Sequence, residues 1–184
     1  MGIYDFAFAA HIVGAVALLV GLVLITISLW RMPRAVTIAG FRKWAGIATK
    51  ADKLLPAGAA LILLSGLYMT MTVWGWSHGW ANTSLAALLL MSPLTPTIIG
   101  PRLGELRKAA TGVSADSVPS SLRIATYDPV LHTGVSVMML VSLGIAAVMV
   151  TKPTTLGSIM LVAIALLVGL AAAFPAWRWR RAAG

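Results

Sequence analysis

Apolar residues run almost unbroken from Phe6 to Trp30, twenty-five positions with a single ionisable side chain, His11. About 20 residues at ~1.5 Å each cross a ~30 Å hydrocarbon core, so this run predicts a membrane-spanning helix. Four further runs, at about 54–74, 81–99, 124–150 and 156–174, predict four more. In the first run His11, Gly14, Leu18, Gly21, Ile25 and Ser28 recur at spacings of three and four. They form one helix face whose small members let a second backbone come close. That face should turn into a bundle and carry His11 with it. The expected fold is all-α: one transmembrane domain, 1–184, of five spanning helices.

The segments between the runs are equally patterned. From Arg34 to Lys53, Phe41, Trp44, Ile47 and Ala48 share a helical face and Arg42, Lys43, Lys50 and Lys53 lie off it, which reads as an amphipathic helix in the headgroup region. Asp52 and Pro56 mark the start of the second span, with Asp52 expected to be salt-bridged at the inner interface. The WGWSHGW stretch, residues 74–80, places Trp74, Trp76 and Trp80 around a short turn, as in an interfacial aromatic belt. Pro93 and Pro96 each remove a backbone hydrogen bond, so the third span should kink or unwind in its lower half, and Gly100-Pro101 should end it. Residues from Arg102 to Arg123 read as a polar connection.

Composition fits this reading. The chain is 59% hydrophobic and 10% charged, against about 25% charged in a soluble domain, so lipid must serve as solvent for much of its surface. The formal charge of +9 would suggest nucleic acid in another setting. Here thirteen of the fourteen basic residues fall in the first loop, the third loop and the tail, and Lys152 is the exception. With five spans those three segments share one face, which the positive-inside rule makes cytoplasmic, with the N-terminus outside. The expected setting is the bacterial cytoplasmic membrane, with the bilayer as first partner and no nucleic acid. The first run is too long for a signal-peptide core and has no basic segment before it, so it reads as a permanent span. The absence of cysteine excludes disulfides and thiolate metal sites.

Ionisable groups within a bilayer mark functional sites. His11 reads either as an axial haem ligand, metal ligand or proton carrier, or as a neutral ring bonded to a neighbouring helix. His132 follows Asp128 by four residues. Either Asp128 orients the ring as second ligand or proton relay, or it caps the helix at Pro129 with His132 buried beside it. The two histidines should differ in depth by about 6 Å, close enough for a tilted haem to bridge. His78, in the tryptophan turn, reads as an interfacial polar residue or a metal ligand at the outer mouth.

Several of these pieces carry a resemblance: His11-Ile-Val-Gly14-Ala15 with Gly21, Ala51-Asp52 with Pro56-Ala57-Gly58, Gly66, and Met149-Val-Thr-Lys152-Pro153. Over residues 6–153 the chain resembles an uncharacterised bacterial family of integral-membrane proteins with a domain of unknown function. That family is distantly similar to the copper-resistance D-type membrane proteins and to the haem-dependent protoporphyrinogen oxidase. In the oxidase a histidine in the first span works with a lysine in the third. His11 matches the first, but the third span offers Asn82, Thr83 and Ser84 and no lysine. The resemblance therefore implies haem binding through His11 without the oxidase chemistry. The expected function is a small b-type haem-binding or haem-handling protein, redox-active or not. The alternatives are a transporter or channel for a metal ion or small solute, and a non-catalytic subunit docked to a membrane partner or a second copy. No nucleotide-binding loop or hydrolytic triad is present.

Overall fold

The computed structural model describes residues 2–183, with side chains described from Gly2 to Arg178. The chain folds as α1 (Ile3–Arg31), α2 (Ile38–Ala51), α3 (Leu54–Met69), α4 (Gly79–Met91), α5 (Gly100–Thr111), α6 (Ser120–Ala125), α7 (Pro129–Thr151), α8 (Thr155–Ala172) and α9 (Phe174–Ala183). Five helical stretches are long and apolar enough to cross a membrane, so this is an all-α, multi-pass membrane bundle. Its outer surface is apolar, with Phe6, Leu64, Leu90, Val150 and Leu167 all exposed. In water such a surface would be an aggregation liability; in a bilayer it is the solvated face.

The predicted stripe is the buried face of α1: Gly14, Leu18, Gly21, Ile25 and Ser28 are buried, joined by Leu22 and Leu29. The stripe lies on α3 at backbone contact. A Cβ on Gly58 would lie 2.7 Å from the Gly14 carbonyl oxygen, and one on Gly14 would lie 2.9 Å from that of Gly58. Two turns further along α1, a Cβ on Gly21 would meet Leu55 Cδ1 at 2.5 Å. Only glycine allows this approach. The second tight pair is α7 with α8, where a Cβ on Gly169 would lie 2.8 Å from Val137 Cα. The fold groups into α1–α2–α3 and α4–α7–α8, joined where α1 packs on α7 and α2 on α5, while α3 meets α4 along a thin seam.

The α2 helix forms as expected, and its apolar face is buried against protein. Phe41, Ala45 and Ala48 are buried, and α2 packs on α1 and α5. Its cations tie the basic end together. Arg42 donates from Nε to the Ala110 carbonyl at 3.0 Å and from Nη2 to that of Val113 at 2.6 Å, occupying carbonyls at the C-terminus of α5. Arg123 donates to the carbonyls of Pro33 and Ala35, pinning the third loop to the first. Arg180 and Arg181, counted in the tail's charge, lie beyond the described side chains.

Three boundaries differ from the sequence reading. Helix continues through Gly100-Pro101, expected to end it, to Thr111: a π-helical turn at Thr95–Ile99 takes up Pro96, and Pro101 falls in the first turn of α5, where its missing N–H is tolerated. The stretch after Arg102 is therefore largely helical. The fourth span is interrupted at Thr126–Asp128, where α6 ends and Asp128 caps α7. Among the tryptophans, Trp76 projects outward as a belt residue, but Trp80 is buried, edge-on to Trp74 at 5.0 Å with Lys152 Nζ 5.4 Å from its ring centroid.

If the glycine contact sets the bundle, Gly58→Val should lower stability by about 1–3 kcal/mol through overpacking, read by thermal unfolding in mild detergent. Gly46→Ala, where a Cβ meets nothing within 4 Å, should leave the transition unmoved or raise it.

Candidate functional site

The close contact of α1 with α3 carries His11 onto Ser65 and Gly66. A Cβ on Gly66 would come 3.3 Å from His11 Cε1 and 3.5 Å from Nδ1, so that edge of the ring packs on the glycine. Ser65 gives its hydroxyl proton to the Leu61 carbonyl at 2.5 Å and receives one from His11 Nδ1 at 3.1 Å. The ring also bonds the Ile62 carbonyl, and in the tautomer that donates from Nδ1 to Ser65 the lone pair falls on Nε2. That is the tautomer needed to ligate a metal or accept a proton.

His11 lines a small cavity with Gly66, Thr70, Ser84, Leu88 and Met149. Ser84 Oγ is buried there without a hydrogen-bond partner among the described residues. The space is about 30 Å³, the size of one water. It has no room for a porphyrin while α3 and α4 are closed, so the residues at His11 do not fit haem in this state. A proton-carrying water or one small ion does fit.

At the other end of the same seam, a groove of about 460 Å³ is lined by Asp52, Ala59, Leu63, Ser92, Thr95 and Pro96. Asp52 was expected to be ion-paired. Among the described residues it has no ion pair, and its Oδ1 is buried and unpartnered. The carboxylate instead packs on Gly100, where a Cβ would lie 2.9 Å from Oδ2 and 3.2 Å from the Thr95 carbonyl oxygen. Pro96 and Pro101 donate no N–H, so the carbonyls of Ser92 and Thr97 lose that helical donor. A lone carboxylate beside proline-interrupted helix is a cation-attracting arrangement. This residue was visible in the sequence, but the local Lys50-Ala-Asp-Lys53 pattern suggested a surface pair.

Cavity and groove lie close together. Leu88 bounds the first and Ser92 the second, four residues or about 6 Å apart along the third span. Leu88 is buried and Ile62 and Leu63 are partly buried, forming the apolar layer between the two spaces.

His132 belongs elsewhere. It sits at the basic end beside Thr26, Leu29 and Trp30, at least fifteen residues along α1 from His11, or roughly 22 Å. The depth difference of about 6 Å expected for the two histidines is therefore too small, and one haem cannot join them. The shortfall arises because α7 begins only at Pro129, which puts His132 in its first turn. His132 Nε2 donates to the Thr126 carbonyl at 3.0 Å. Asp128 Oδ1 accepts from the N–H groups of Val130 and Leu131, and Oδ2 pairs with Arg102. Capping is thus one clear role of Asp128. His78 is exposed before α4 with its ring 6.0 Å from that of Trp80. Among the described residues no three His, Asp or Glu side chains gather as a metal site.

We find no match to a protein-family model, a curated protein or a solved structure, so the functional reading rests on this geometry.

Asp128→Ala should cost about 1 kcal/mol through the lost cap alone. Asp128→Asn keeps an N-cap acceptor and should cost less. Thermal unfolding of both variants checks this, and equal loss would mean that the Arg102 pair dominates.

Proposed function

We propose that this chain passes a small cation, a proton or a single metal ion, across the bacterial cytoplasmic membrane along the seam between α3 and α4, with the basic end inside. One observation carries the reading: two spaces on that seam, toward opposite ends, each hold an ionisable side chain with a position free for a ligand. His11 Nε2 and Ser84 Oγ serve the outer cavity. Asp52 Oδ1 serves the inner groove. Ionisable groups at membrane depth are costly and rarely lack a purpose. The apolar layer of Ile62, Leu63 and Leu88 acts as the closed gate. The seam can part without disturbing either tight pair, because α3 is anchored to α1 and α4 packs on α7 and α8. The π-helical turns at Thr70–Trp74 and Thr95–Ile99 flank the route, and such turns give a helix local room to adjust.

Haem bound through His11 is the second reading. The free Nε2 favours it, and the water-sized cavity requires the seam to open first.

Purified protein in liposomes tests the choice. Proton entry is read with an internal pH dye under an imposed potential, and zinc or manganese entry with internal metal dyes. Flux of at least one cation should exceed that of empty vesicles, and Asp52→Asn should return it to their leak. No flux of any of them would overturn the transport reading. A Soret band lost in His11→Ala would establish the haem reading instead.

A further inference from the structure

At the basic end, away from the α3–α4 seam, a groove of about 380 Å³ opens between the end of α1, the start of α7 and the end of α8. Its walls are of two kinds. Trp30, Arg34 and His132 supply a polar mouth, while Leu29, Val135 and Ala172 supply an apolar flank. Arg34 is exposed and held in place. Its guanidinium carbon lies 4.4 Å from the Trp30 ring centroid, and Nη1 donates to the Trp30 carbonyl at 2.5 Å. The other guanidinium N–H groups have no partner among the described residues. His132 spends Nε2 on the Thr126 carbonyl, which leaves Nδ1 as the ring atom available to a ligand. The comparable space beside Arg102 differs, because that guanidinium is paired with Asp128.

A cation and an aromatic ring at headgroup level, continuous with an apolar flank, complement one kind of molecule. It is an amphiphile with an anionic head. We propose that this groove binds an anionic phospholipid, its phosphate at Arg34 and one acyl chain along Leu29, Val135 and Ala172. Arginine suits the head because its planar fork matches phosphate oxygens. Trp30, half exposed at the end of α1, sits where interfacial tryptophans anchor a protein among headgroups. Basic pockets between helices at the cytoplasmic surface hold such lipids by the same physics. A bound chain would also bridge α1 and the end of α8, which belong to different halves of the bundle.

The full chain in mild detergent is titrated with dioctanoyl phosphatidylglycerol, dioctanoyl phosphatidylcholine and inorganic phosphate. Adducts are counted by native mass spectrometry and stabilisation is read by thermal unfolding. Phosphatidylglycerol should saturate one site and raise the transition, and the other two should do neither. Arg34→Gln should weaken that site about fivefold. Arg107→Gln removes the same charge from an α5 side chain that neither lines the groove nor touches Trp30, and should leave it unchanged. Phosphatidylcholine binding as tightly would overturn the proposal, as would equal weakening by the two arginine variants. Inorganic phosphate binding as tightly as the lipid would assign the groove to a soluble anion and overturn it too.

Discussion

Everything at the candidate site depends on how closely α1 approaches α3. With glycine at positions 14, 21 and 58 the two backbones touch, and the carbonyl of each helix occupies the space a Cβ of the other would need. In lipid there is no hydrophobic force to press helices together, so dispersion between close backbones does that work. The contact fixes the rotation of α1 about its axis. Rotation then determines that His11 meets Ser65 and Gly66, and the tautomer that donates from Nδ1 leaves Nε2 for something else.

The same contact explains why the molecule divides where it does. Two pairs are bound tightly, α1 with α3 and α7 with α8, and the weaker surface between α3 and α4 is where the cavity and groove lie. A bundle packed uniformly would have neither. The proline-interrupted third span brings Gly100 and the Thr95 carbonyl beside Asp52. The basic end is knitted more firmly, since Arg42 and Arg123 tie the first and third loops across carbonyls. Movement, if the seam parts, would therefore pivot about that end.

Spans were legible because hydropathy and length are themselves the physical requirement for crossing a bilayer. The α1 stripe was legible for a related reason, as small residues at helical spacing have few other uses. Breaks within helices were less so. Gly100-Pro101 looks like a terminator, and only the π turn before it shows how the helix survives. The cap at Asp128 was one of two readings the sequence offered, but Thr126-Tyr127-Asp128 was still counted within a fourth span begun near Ile124, and the structure starts the regular helix only at Pro129. Counting depth from that earlier start placed His132 too deep and suggested a shared haem. Asp52 was misjudged as ion-paired because its neighbours in sequence are lysines, whereas its neighbour in space is Gly100 of another helix.

The central claim is that the α3–α4 seam admits small polar species from both ends. The chain has no cysteine, which makes single replacements clean probes. Ser84→Cys, Ser92→Cys and Leu90→Cys would be exposed in sealed, oriented vesicles to a small charged methanethiosulfonate added on one side at a time. Ser84→Cys should react from the outer face alone and Ser92→Cys from the inner face alone. Leu90→Cys, on the lipid-facing surface at 73% exposure, should react from neither. Silence at both serine positions, or reaction at Leu90→Cys as fast as at either, would contradict a polar route along the seam.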